Sequence, residues 1–242
     1  MVTGVQTCAL PICSSIPSLP HFAMQHSIIP IILVAAAMHA SWNILIKRSG
    51  QRMPYASQWV AIYCGIIAVC ILPFLTLPMP ASWPYLCVSA LLQAAYFFLL
   101  AQAYKHSDFS VAYPLMRGVA PMLVLLCGWL FLNEAIDGHK IVGILMVCAG
   151  VLALLPKGQS LGKTQGFALM NAVVIASYTL VDGIGLRLSH SPVAYVMATF
   201  VITGLIMAGF CGWHERERLF AHMGAQEHAL VATGGALSLA SY

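Results

Sequence analysis

Arg117 stands inside an apolar run, Ala112–Glu134, with Pro114, Gly118 and Pro121 close beside it. An arginine at bilayer depth needs a partner, a water-filled cavity or a route to the headgroups. A proline frees a carbonyl that something else must satisfy. A helix that only filled space would avoid both. The chemistry these residues suit is recognition of an anionic group, or a gating charge, with Pro114 and Pro121 opening the helix so that carbonyls face a cavity. The plainer alternatives are an arginine snorkelling to the near interface from two turns into its helix, and two tolerated kinks.

His39 and Asn43 are four residues apart and share a helix face, with Trp42 beside them. Histidine titrates near neutrality and suits proton relay, against the plainer reading of a buried hydrogen-bonding side chain. Trp42 is either a cavity residue or an interfacial belt residue. Tyr96, Tyr104, Tyr113 and Tyr178 offer hydroxyls and stacking faces, or simply pack. Asp182 is expected at a helix end, pairing with Arg187 or a coupling ion, or lying in the headgroups. We take His39, Trp42, Asn43, Tyr96, Tyr113, Pro114, Arg117, Pro121, Tyr178 and Asp182 as the substrate pathway. No catalytic residue is assigned. The nine His show no HxxxH or HExxH and the eight Cys no CxxC, so no metal and no cofactor is expected.

The elements that must position these residues are membrane helices. The chain has 242 residues, 60% hydrophobic and 7% charged, against about 25% charged in soluble domains. Mean hydropathy is +0.87. The net charge of +4 is spread over several loops and gives no nucleic-acid surface. Apolar runs predict helix 1 over Ser27–Ile46, helix 2 over Tyr55–Leu75, helix 3 over Pro84–Tyr104 and helix 4 over Ser110–Leu132. Helix 5 follows over His139–Leu155, helix 6 over Thr164–Asp182 and helix 7 over Pro192–Trp213. A partial eighth run starts at Ala229. Ala36/Ala40 and Gly204/Ala208/Gly212 are small residues at i+4 spacing, expected to be packing stripes. Glu134, Asp137 and His139 read as solvated loop residues, and HERER (214–218) as a charged juxtamembrane loop.

Residues 1–23 differ from the rest and lack a basic n-region. Val2–Ile12 resembles a translated sequencing-adapter tag, so we read 1–23 as an artefact or a disordered leader. From there on, the chain repeats. Ala40–Ile46, ASWNILI, matches Ala176–Asp182, ASYTLVD. Pro54 matches Pro192, Ala90-Leu matches Ala236-Leu, and Tyr96 matches Tyr242, at offsets drifting from 136 to 146. The expected organisation is a five-helix unit over 24–157 and a second, incomplete one over 163–242. An odd helix count per unit makes the copies inverted, with the site at their interface near the midplane. By this count the rest of helix 8 and two further helices, roughly 55–60 residues, lie beyond Tyr242.

At HASWNILIKR (39–48), YKHSDFSVAYPLMRGVAP (104–121) and the Asn133-Glu134 turn before a Gly-rich helix, the chain resembles the drug/metabolite transporter superfamily, EamA type. The resemblance covers roughly Met24 to Tyr242. It implies an all-α polytopic plasma-membrane protein built as two inverted five-helix bundles around a central cavity. It also implies proton- or gradient-linked movement, or exchange, of small metabolites. Arg117 tilts the substrate toward amino acids or organic acids, with drugs a further class. Partners implied are the small-molecule substrate, the lipid bilayer and a second copy of the chain. The competing readings are an integral-membrane enzyme and a structural membrane subunit. Lys and Arg cluster in the odd loops, which places the N-terminus outside; the resemblance implies the opposite orientation.

Overall fold

A computed structural model describes residues 21–48, 53–106, 109–132, 138–154, 163–214 and 224–242. Among the described residues every regular element is helical: α1 His21–Arg48, α2 Met53–Ile71, α3 Trp83–His106 and α4 Phe109–Leu132, then α5 Gly138–Leu154, α6 Lys163–Ser189, α7 Pro192–His214 and α8 Ala225–Ala240. Two 3-10 turns, Leu72–Phe74 and Pro80–Ser82, join α2 to α3. The chain is an all-α polytopic membrane protein. Glu134, Asp137, most of 1–23, the 156–163 linker up to its last residue and the HERER loop after His214 lie outside the described residues, as does the His139 side chain.

Five stretches are long and apolar enough to cross a membrane: Ala56–Phe74, Pro80–Ala103, Tyr113–Leu130, Gln165–Ser189 and Pro192–Trp213. Shorter apolar stretches among the described residues, Leu33–Ile46 and Ile141–Gly150, lie in α1 and α5. α8 has 16 residues and begins at Ala225, four before the expected Ala229. There the Gly224 N–H donates to Glu227 Oε2 at 3.0 Å, satisfying one end-of-helix donor. α6 runs seven residues past Asp182, because Ile184, Leu186 and Leu188 carry the apolar pattern through two glycines. The stop comes at His190, whose φ of 53° breaks the helix, and Pro192 opens α7.

Lipid tails are as apolar as the helices, so close fit rather than exclusion from water must hold the bundle together. α2 and α7 cross at Gly65 and Gly204. A Cβ on Gly65 would lie 3.0 Å from the Gly204 Cα, and one on Gly204 would lie 2.9 Å from the Gly65 Cα. The contact is reciprocal: the same two Cβ atoms would meet the Phe200 and Ala61 carbonyls at 3.1 and 3.2 Å. Both pairs, 65/204 and 61/200, are 139 positions apart. The expected stripe on α7 narrows to Gly204, since Ala208 and Gly212 are exposed. On α1, Ala40 is exposed and Ala35 is buried instead.

The other contacts also come in pairs. α3 packs on α6 and α7, and α8 packs on α1 and α2. Across α2 and α8, Cys64 Sγ donates to the Gly235 carbonyl at 3.4 Å. Across α7 and α3, Thr203 Oγ1 donates to the Ala90 carbonyl, also at 3.4 Å. Cys64 and Thr203 are 139 apart, and Ala90 and Gly235 are 145 apart. Within α1, Asn43 Nδ2 donates to the His39 carbonyl at 2.7 Å; within α6, Thr179 Oγ1 donates to the Ile175 carbonyl at 2.7 Å, 136 positions on. These separations fall in the range of the sequence matches. Large apolar side chains such as Leu91, Trp129, Met146, Leu205 and Trp213 cover the outside, as a lipid-facing surface requires.

Candidate functional site

α4 passes unbroken through Pro114 and Pro121. The prolines do not open the helix as expected. Each lacks an N–H, so the carbonyls four residues earlier, at Ser110 and Arg117, lose their usual helical donors. Arg117 does not snorkel. Its guanidinium turns into the bundle, where Nη2 donates to His39 Nε2 at 2.7 Å and lies 3.5 Å from the Tyr96 hydroxyl. The Arg117 Cζ sits 5.9 Å from the Tyr96 ring centre and 6.0 Å from that of Tyr113. Aromatic faces at that range stabilise a desolvated cation.

His39 reaches the same point from α1. Its ring stands edge-on to Trp42 with centroids 5.3 Å apart. Trp42 Nε1 is 3.2 Å from His39 Nδ1, and Ser241 Oγ is 3.4 Å from that same nitrogen. Tyr96 on α3 meets Tyr178 on α6 in a T-shaped pair at 6.1 Å. Arg117 and Tyr242 both lie close to the Tyr178 hydroxyl.

These side chains enclose a cavity with about 280 Å³ of empty space, counting what is continuous with the outside. It is lined by His39, Trp42, Gln93, Tyr96, Phe97, Arg117, Tyr178, Phe200, Ser238 and Tyr242. Helices α1, α3, α4, α6, α7 and α8 all contribute. Most of that space is open to the outside or lies in gaps narrower than a water molecule, and the part that can be filled has room for about one water. Its character is one cation, several hydroxyls, one imidazole and aromatic walls. An organic molecule with an acceptor or anionic group turned to Arg117 fits here only when these side chains move apart.

Of the ten residues picked from the sequence, His39, Trp42, Tyr96, Arg117 and Tyr178 line this cavity. Tyr113 flanks Arg117. Asn43 is buried behind His39 and spends its amide on that residue's carbonyl. Pro114 and Pro121 shape α4 without lining the cavity. Trp42 and Tyr178, 136 positions apart, both face it. Gln93, Phe97, Phe200, Ser238 and Tyr242 were not picked. Gln93 carried a signal, as an amide in an apolar helix; the two phenylalanines carried none.

Asp182 is not a helix-end residue. It is 6% exposed, well inside α6. Tyr195 of α7 donates its hydroxyl to Asp182 Oδ1 at 3.1 Å, and the polar side chains of Ser89 and Gln93 of α3 lie beside the carboxyl. Gly185 makes this possible, because a Cβ there would collide with the Tyr195 ring. Gln93 therefore has the cavity on one side and Asp182 on the other. A separate aromatic group lies between α2 and α8, where Tyr63 Oη is 3.1 Å from His228 Nδ1 and Trp59 stands edge-on to the imidazole at 4.9 Å. Among the described residues no group of three or more His, Cys, Asp or Glu is placed to hold a metal ion.

The model of the EamA-like transporter family matches residues 26–155, more than half of the chain. The multidrug transporter EmrE of Escherichia coli K12 is 30% identical over 101 residues, covering 42% of this chain and 90% of that protein. The nicotine metabolites export pump subunit NepA of Paenarthrobacter nicotinovorans is 38% identical over 77 residues, 31% of this chain and 66% of that protein. No solved structure gives a significant match.

Proposed function

The chain belongs to the EamA-like transporter family, and on that premise we propose that it is a secondary transporter whose substrate crosses through the Arg117 cavity by alternating access. At the coarser level it is a multi-pass cell-membrane transport protein of drugs or metabolites, and transport rather than catalysis is its activity. The observation that carries the finer reading is the inward turn of Arg117. A guanidinium lines a buried cavity whose described lining residues include no acid. An anionic group on the cargo suits this guanidinium as a counter-ion.

The substrate class is accordingly a small organic molecule with an anionic group, such as an amino acid or organic acid. The aromatic walls suit an unsaturated or ring-bearing body. The names of the two relatives, a multidrug transporter and a subunit of a nicotine metabolites export pump, favour small organic cargo and outward movement. The paired contacts at separations of 136, 139 and 145 support a duplicated unit over 24–157 and 163–242, in which α2 and α7 meet on the pseudo-two-fold axis at Gly65 and Gly204. A site beside such an axis can be exposed to either side in turn by rocking one unit against the other. Since one relative is named a subunit, a homodimer is the assembly to look for by crosslinking in the membrane.

The test is to express the complete reading frame and its Arg117→Ala variant in a bacterium at matched membrane levels. Small metabolites inside and outside the cells are then compared by mass spectrometry. A compound redistributed by the wild type and not by the variant supports this reading. Redistribution that survives the substitution places the pathway elsewhere.

A further inference from the structure

The contact between Arg117 and His39 contains a conflict of hydrogen bonds. Arg117 Nη2, a donor under all conditions, lies 2.7 Å from His39 Nε2. Trp42 Nε1, also a donor, lies 3.2 Å from His39 Nδ1. A neutral imidazole has one lone pair to offer and one N–H, so it cannot accept from both. Ser241 decides between them. Its hydroxyl proton is committed to the Ser238 carbonyl at 2.7 Å, so toward His39 Nδ1, 3.4 Å away, its oxygen can only accept. His39 must then carry its proton on Nδ1, accept from Arg117 on Nε2 and leave the Trp42 N–H without a bond from the ring. In the empty site His39 is neutral, because the guanidinium occupies its second nitrogen.

An anion entering the cavity changes this balance. A carboxylate prefers the guanidinium in a charge-assisted contact stronger than any neutral acceptor can offer. Once Arg117 turns to the carboxylate, His39 Nε2 loses its donor and its lone pair is open to a proton. The imidazolium so formed keeps Nδ1–H on Ser241 and directs Nε2–H at the carboxylate. The charge of the site stays constant: +1 when empty, and +1 when two cations face one anion. A buried site in a bilayer penalises any other net change. The titratable and charged groups facing His39 fit this account. Arg117 and Tyr113 come from α4, Tyr96 from α3 and Tyr242 follows α8. Tyr178 comes from α6 with Asp182 behind it, while α7 presents Phe200 and no residue of α2 lines the cavity.

We propose that His39 is a proton-binding site linked to Arg117, so that each carboxylate bound in the cavity draws one proton from water onto His39 Nε2. The protein then moves the organic anion together with that proton. This rests on the reading of Arg117 as the anion site. Linkage makes the effect reciprocal: acidification tightens carboxylate binding, and the carboxylate tightens proton binding by the same factor.

The experiment uses the complete protein in lipid nanodiscs, with benzoate as the probe. Benzoate is added to weakly buffered protein near neutral pH, and proton uptake is read with a pH dye while binding is read by calorimetry. Wild type is expected to take up close to one proton per benzoate. His39→Gln, whose amide oxygen can still accept from Arg117, should bind benzoate with no uptake and with affinity independent of pH. Binding that depends on Arg117 but brings no proton in the wild type, or uptake that persists in His39→Gln, overturns the coupling and leaves the anion site standing. Absence of benzoate binding, or binding unchanged in Arg117→Gln, overturns the anion site and the coupling with it. Nitrogen-15 NMR of histidine-labelled wild type gives a second check that needs no probe or variant fold. In the empty protein the His39 signal should be the neutral ring with its proton on Nδ1, and the other tautomer or an imidazolium there would sink the proposal.

Discussion

Arg117 and Asp182 are both charged groups buried in one helical bundle, on either side of Gln93 and Tyr178, and they are housed in opposite ways. Asp182 receives a hydrogen bond from Tyr195, has the neutral polar side chains of Ser89 and Gln93 beside it, and does not line the cavity. Its partners are side chains fixed in the helix packing. Arg117 has five N–H donors and meets an imidazole nitrogen, tyrosine hydroxyls and ring faces, with open space in front. A satisfied buried charge is part of the scaffold, and an under-coordinated one facing a cavity is set for exchange. By this contrast, substitution at Arg117 should affect transport, and substitution at Asp182 should affect the fold.

The largest effect is expected at Arg117. Removing one partner of a buried charge pair costs about 2–5 kcal/mol. Transport by Arg117→Gln should therefore fall by about 30-fold or more at equal protein in the membrane. Its thermal unfolding in detergent should be unchanged or higher, since an incompletely paired buried cation is gone. Loss of transport through loss of folded protein would erase the contrast. Next comes Asp182→Asn. The amide group replaces an acceptor with a donor facing other donors, which costs about 1–3 kcal/mol. Unfolding in detergent should shift down by several degrees, while transport per folded molecule stays within about twofold of wild type. A tenfold drop per folded molecule would move Asp182 from scaffold to pathway.

Gly185 offers a way to reach Asp182 without touching its charge. Gly185→Ala must push the Tyr195 ring away and so remove the hydroxyl from the carboxyl. The expected loss is about 1–3 kcal/mol, the range for overpacking. In Tyr195→Phe, where the hydrogen bond is already gone, adding Gly185→Ala should cost less than it does alone. Additive costs would mean that Gly185 serves helix packing alone.

The sequence made one side of this contrast readable and misplaced the other. An arginine between two prolines in an apolar run has few uses, so Arg117 could be picked from composition and spacing. His39, Trp42, Tyr96 and Tyr178 followed, as polar or amphipathic groups in apolar helices. Asp182 was placed at a helix end because the apolar run of helix 6 was ended there. The helix continues because the bundle supplies what a lone helix lacks: donors for the carboxyl, and a ring that needs the space at Gly185. Phe97 and Phe200 gave no signal, since a cavity wall and a packed core use the same side chains. The Gly65–Gly204 crossing was half visible, in Gly204 alone, because its partner is 139 positions away and nothing local marks the pair.

The smallest effect is expected at Trp42, and it separates the two sites most finely. In the empty protein the Trp42 N–H points at a ring nitrogen that already carries a proton, so it has no bond there to lose. Trp42→Phe keeps the aromatic edge against His39 and removes that N–H. Its unfolding in detergent should stay within about 1 kcal/mol of wild type, because deleting an unpaired donor can be neutral. Tyr195→Phe makes the matching deletion of one polar atom from an aromatic side chain, but takes a made bond from Asp182, and should cost about 1.5–3 kcal/mol, as for a hydrogen bond to a charged group. Measured side by side, Tyr195→Phe should be the more destabilising. If Trp42→Phe costs as much, Trp42 is bonded to His39 Nδ1, the ring proton is on Nε2 against Arg117, and the assignment of the His39 tautomer is wrong.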